Sequence, residues 1–146
     1  MKLLNLMPLL VLLAIFTNAC APAPSPLRLA KSYEQKEEYQ KAIEVYQQII
    51  KNKSQIYIYY LLIGDNYLKL KNPDLAEDNY ILAIENNAEN EFIIDRIRLL
   101  ARYFAEQNDF EQAIEILRKY RYLNPDSIDF SIDGLHKDSI KIEDEK

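Results

Sequence analysis

Few side chains in this 146-residue sequence could carry chemistry: one cysteine, Cys20, one histidine, His136, and 23 carboxylates. Metal sites and nucleophilic triads draw on imidazole, and a lone His136 near the end of the chain leaves them almost nothing to build on. The side-by-side acids Glu37-Glu38 and Asp144-Glu145 point away from each other along a helix, so they read as solvated faces and not as an acid–base pair. No acid, base and nucleophile converge. The expectation is a protein that is not an enzyme and uses no cofactor or metal. The eleven tyrosines raise the alternative of a stacking platform for single-stranded nucleic acid. Against it, 18 Lys plus Arg and 23 Asp plus Glu give a net charge of −5, the wrong sign for a polyanion partner.

Cys20 is informative because of where it stands. Residues 1–19 carry one basic residue, Lys2, continue through an almost unbroken apolar run from Leu3 to Phe16 that Asn5 and Pro8 weaken, and end in Thr17-Asn18-Ala19. Such a run is shorter than the roughly 20 residues that cross a bilayer, so it reads as a secretion signal. Thr17-Asn18-Ala19-Cys20 resembles the cleavage box of bacterial lipoproteins, although Thr17 stands where that family prefers Leu or Val. The resemblance implies lipidation of Cys20 and cleavage just before it. The plainer reading is an ordinary signal cut near Ala19 or Ala21, but it leaves the sole thiol of an exported chain unexplained. Ala21, by the same resemblance, implies sorting to the outer membrane, with the periplasmic face preferred over the cell surface. Loss of Lys2 with the leader takes the net charge from −5 to −6. In the linker of residues 20–26, the six residues Ala21–Pro26 alternate with proline, favour polyproline II and reach roughly 19 Å at most. The expected body therefore sits close to its membrane.

That body is expected to be helical. Hydrophobic residues make up 49% and charged residues 28%, with only two Gly, which suits a folded chain short of turn formers. Self-comparison shows a repeat. Ala42, Ala76 and Ala113 stand in similar phrases, 34 and 37 residues apart. Twelve residues before each lie Ala30, Gly64 and Ala101. Bulky residues recur in phase: Leu29, Ile63 and Leu100; Tyr33, Tyr67 and Phe104; Tyr46, Tyr80 and Leu117. This spacing predicts helical hairpins in which small residues let two helices approach. Ser25-Pro26 and Asn72-Pro73 read as N-caps with proline at the first helical position, and Asp109 with Gln112 as a capping box. Asn124-Pro125 reads as the stop of the last helix. The run Ile56–Ile63, IYIYYLLI, looks like a buried strand by composition, but its register makes it a helix.

These positions resemble the tetratricopeptide repeat family, whose unit is a 34-residue antiparallel helix pair. The resemblance implies an all-α solenoid of three hairpins over residues 27–126, with units starting near 23, 57 and 94. Departures are Pro26, Ile49 and Tyr120, expected to loosen the outer packing, and an insertion at Ala88–Phe92. Residues 127–146 are expected to form a short irregular, partly disordered tail, with Ile128, Ile132 and Leu135 partially capping unit three.

In this family the first helices line a concave face. The positions this implies are Leu27, Arg28 and Lys31; Ile58, Leu61, Leu62, Asp65, Leu68 and Lys69; Asp95, Arg98, Leu99 and Arg102. An apolar centre flanked by cations suits a peptide segment with acidic flanks. The partner-binding set drawn from it is Arg28, Lys31, Ile58, Leu61, Leu62, Leu68, Arg98 and Arg102. The bland alternative is that the leucines fill gaps between units and that Asp95 pairs with Arg98 and Arg102 with Glu106. Leu27, Leu62 and Leu99 occupy the family's carboxylate-clamp positions, which disfavours a chain-terminal carboxylate as ligand. The expected function is a lipid-anchored scaffold or adaptor that binds peptide segments of other envelope proteins. In architecture it is similar to the repeat-containing lipoprotein of the outer-membrane β-barrel assembly machine. The alternatives are a surface-exposed lipoprotein with external partners and a carrier of a small apolar ligand.

Overall fold

The computed structural model describes residues 23–51 and 56–144, with side chains described through residue 137. The predicted secretion signal and Cys20 lie outside the described residues. Three hairpins follow one another: Pro26–Gln35 (α1) with Tyr39–Ile50 (α2), Tyr57–Lys69 (α3) with Pro73–Glu85 (α4), and Asn90–Ala105 (α5) with Phe110–Lys119 (α6). A 3-10 turn, Arg121–Leu123, leads to a last helix, Pro125–Asp144 (α7). No strand occurs among the described residues. Each helix packs on the one before it, and α3 also meets α5, as α5 meets α7. The apolar run at Ile56–Ile63 is helical, with Tyr59, Leu61 and Ile63 turned into the core.

Local chemistry sets the boundaries. The Ser25 hydroxyl and the Asn72 and Asp109 side chains each accept a backbone N–H three residues on, which satisfies a first-turn donor left over by the helix. Four helices end in the same way. Glu37, Lys71, Asn87 and Asn108 have φ of 58–63°, and the next amide bonds back across the turn, as Glu38 N does to the Tyr33 carbonyl at 2.9 Å. This is the Schellman closure, which needs one left-handed residue. Only two of the four are the Asn that tolerates it most easily.

The core forms two clusters. Ala30, Ala42, Ile43, Tyr46, Ile49, Tyr59 and Ile63 join unit one to unit two. The larger cluster runs from Leu61 and Tyr80 through unit three to Ile128 and Ile132 of α7, and Tyr67 touches both. Ile49 and Tyr120, expected to loosen the packing, are buried. The tail differs most from expectation. It is a 20-residue helix and not an irregular segment. Asn124-Pro125, read as a stop, is also a start: Asn124 Oδ1 accepts the Ser127 amide at 3.1 Å, the device already used at Asn72-Pro73. Ile128 is fully buried and Ile132 nearly so, so the tail does cover the apolar end of unit three, as terminal elements of solenoids must.

Candidate functional site: the face lined by α3, α5 and α7

Polar joints fix the helices that carry this face. Asp65 on α3 accepts the Tyr80 hydroxyl at 3.0 Å and Arg96 Nη2 of α5 at 3.1 Å, so one carboxylate ties both helices of unit two to unit three. Burial first, and the Asp65 charge second, push the Tyr80 phenol above its ordinary ionisation range. Glu77 repeats the device, accepting the Tyr120 hydroxyl at 2.8 Å and Lys119 Nζ at 2.7 Å, and the Tyr120 phenol is likewise pushed up, mostly by burial. Between units one and two, Asn66 Nδ2 donates to Glu34 Oε1 at 2.7 Å. These are structural uses of titratable groups.

Two hollows flank the exposed edge of α5. A groove of about 540 Å³ lies between α3 and α5, lined by Leu68, Lys69, Lys71, Leu99, Arg102 and Tyr103 together with Asp65 and Glu106. On the other side a cleft of about 420 Å³ opens toward α7. Its apolar wall is Ala101, Ala105, Phe110, Leu117 and Leu135, with Arg98 and Arg102 beside it. Both volumes are in the range of small ligand sites.

The residues chosen from sequence do not come together in one site. Leu68 and Arg102 line the groove together with Lys69, Asp65 and Leu99. Arg98 lines the α7 cleft, but its guanidinium donates to the Ser127 carbonyl and hydroxyl and to Ser131 Oγ, and faces Asp95 at 3.7 Å. It holds α7 in place. Arg28 and Lys31 are exposed on α1 and line neither hollow. Ile58 is exposed, whereas Leu61 is 4% exposed and belongs to the core, so Leu61 offers no surface. Leu62 is half-buried against the unit-one cluster. The expected Asp95–Arg98 pair forms. The sequence reading missed Lys71, Tyr103 and Glu106. Tyr103 and Glu106 lie one turn after Leu99 and Arg102, so helical periodicity would have found them. Lys71 lies in the turn after α3, where no helical pattern reaches.

Among the described residues no cluster of three or more His, Cys, Asp or Glu could hold a metal ion. None of their helices is long and apolar enough to cross a membrane.

Comparisons with known proteins agree with the architecture. Family profiles of the tetratricopeptide repeat match residues 27–91 and 99–127. No curated protein matches the chain. Among solved structures, the first repeat domain of Spaghetti (RPAP3) bound to the HSP90 peptide SRMEEVD superposes with a TM-score of 0.54 at 16% identity, over 77% of this chain and 88% of that one. MamA does so with a TM-score of 0.52 at 21% identity, over 80% of this chain and 71% of that one. At these identities the likeness is one of fold. With hairpins in register, small and bulky residues at the repeat positions, and profile matches over more than half of its length, the chain belongs to the tetratricopeptide repeat family.

Proposed function

We propose that this protein is a non-enzymatic scaffold or adaptor that binds a peptide segment of another protein in the groove between α3 and α5. The observation that carries the reading is the composition of that groove: Leu68 and Leu99 line it together with the cations Lys69, Lys71 and Arg102. Leu99 is 40% exposed, an apolar side chain held on a rigid helix where a partner can cover it. The repeat family and the peptide bound to the Spaghetti domain support the same mode.

The finer reading places the scaffold in a bacterial envelope, held by acyl chains on Cys20, possessing a short linker and serving complexes such as those that assemble outer-membrane proteins. It is supported by the apolar leader and its Ala19-Cys20 ending. Each buried methylene contributes about 0.8 kcal/mol, so two or three chains would hold the protein on its membrane.

Three experiments test the proposal. Crosslinked pull-down from membranes with the native chain and a Leu99→Glu plus Arg102→Glu variant should recover partners only with the native groove; equal recovery would end the groove reading. Fractionation of a Cys20→Ser variant should move the protein from membranes to the soluble fraction, and an unchanged distribution would remove the tether. Protease added to intact cells separates a periplasmic protein, which survives, from a surface-exposed one.

A further inference from the structure

Arg102 on α5 and Glu106, which caps the C-terminal end of that helix, stand one turn apart, and both line the groove toward α3 and the cleft toward α7. The two hollows are therefore the two flanks of a single ridge. Ala101 and Ala105 explain why the second flank is open, since they present only methyl groups where larger side chains would fill the space up to Leu117 and Leu135.

Charge on the ridge is unevenly committed. Asp65 is engaged by Arg96 and Tyr80, and Arg98 by Ser127, Ser131 and Asp95. Left facing the hollows are Lys69, Lys71 and Arg102 against Glu106, a local excess of cation on a chain of net charge −5. Such a surface selects an acidic ligand by electrostatic complementarity.

We infer that the ridge and both hollows form one bipartite peptide site, selective for an Asp or Glu flanked on each side by an apolar residue. The ligand carboxylate meets Arg102. One apolar side chain enters the groove beside Leu68 and Leu99, and the other enters the cleft over Ala105 and Leu135. An extended peptide rises about 3.3 Å per residue, and the ridge is one helix of about 10 Å across, so the two apolar residues stand about three to five positions apart. In this arrangement α7 is a wall of the binding site as well as the cap of unit three. The inference rests on the groove reading above and adds its second half.

The test is selection of phage-displayed random dodecapeptides on the full mature chain, followed by fluorescence anisotropy with a selected peptide. Enriched peptides should carry an acid between two apolar residues at that spacing. Lys69→Glu plus Lys71→Glu on one flank, and Ala105→Phe or Leu135→Glu on the other, should each weaken binding about tenfold or more while the helical circular dichroism and its melting remain native. If the selected peptide responds to the lysine changes and ignores both Ala105→Phe and Leu135→Glu, the bipartite site is wrong and the groove stands. If no peptide is enriched, or the peptide responds to neither set, both readings fail.

Discussion

The ring of Tyr80 lies directly on Gly64: a Cβ at position 64 would sit 2.4 Å from Tyr80 Cε1 and 3.0 Å from the Ala76 carbonyl oxygen. The glycine is needed for this close approach; at the equivalent positions of unit three, Ala101 accompanies the smaller Leu117, and both are buried. Gly64→Ala should therefore destabilise the protein by about 1–3 kcal/mol, the usual penalty for overpacking. Denaturant unfolding would measure it, and Gly64→Ala combined with Tyr80→Leu should regain part of the loss. Additive effects would show that the two residues do not share that space.

Gly134 should behave in the opposite way. It stands within α7, and a Cβ there would meet nothing within 4 Å. Gly134→Ala should stabilise the protein by up to about 1 kcal/mol through helix propensity, whereas Ile128→Ala, which empties a fully buried site, should cost about 2–5 kcal/mol. If neither change alters the melting temperature, α7 is not part of the cooperative unit.

Periodicity placed the hairpins because the small and bulky positions recur at fixed distances, and it overruled the strand-like composition of IYIYYLLI. At residues 127–146 it identified Ile128, Ile132 and Leu135 as a cap for unit three but not the continuous helix that carries them, because Gly134 and alternating apolar and polar residues interrupt the helical stripe. Asn124-Pro125 carries the same start signal as Asn72-Pro73, an Asn cap followed by proline at the first helical position. At the site, Leu61 was misplaced to the surface because one helix of a middle repeat contacts neighbours on both sides, so its apolar positions alone do not say which face is open. Lys71 was hidden for another reason, being in a turn whose left-handed residue is not Gly.

Backbone conformation at the hairpin ends gives a further expectation. Glu37 holds φ 59° and Asn108 φ 62°. A left-handed residue with an ordinary side chain costs about 1–2 kcal/mol, and asparagine is among the least penalised. Glu37→Gly should stabilise by about 0.5–1 kcal/mol and Asn108→Gly by less, by chemical denaturation. Destabilisation by Glu37→Gly would count against this turn.

Alkaline pH should unfold the protein through its buried phenols. Tyr80 and Tyr120 ionise above their ordinary value of 10.0 in the folded state, because of burial first and the carboxylates they bond second. A raised folded value means that the unfolded chain releases these protons sooner. Their contribution is thus fully present below pH 10 and is lost progressively as pH rises above it. Tyr80→Phe should flatten part of that alkaline slope. An unchanged slope would mean that the Tyr80 phenol ionises alike in both states.

The most direct test of peptide recognition on this face is site-specific photo-crosslinking in cells, with a benzophenone amino acid placed at Leu99 in the groove or at Leu82 on α4. The two native side chains are 40% and 37% exposed, so accessibility alone does not distinguish them. A discrete partner adduct from position 99 and none from position 82 is expected. Adducts from position 82 alone, or the same adducts from both, would contradict recognition through the groove.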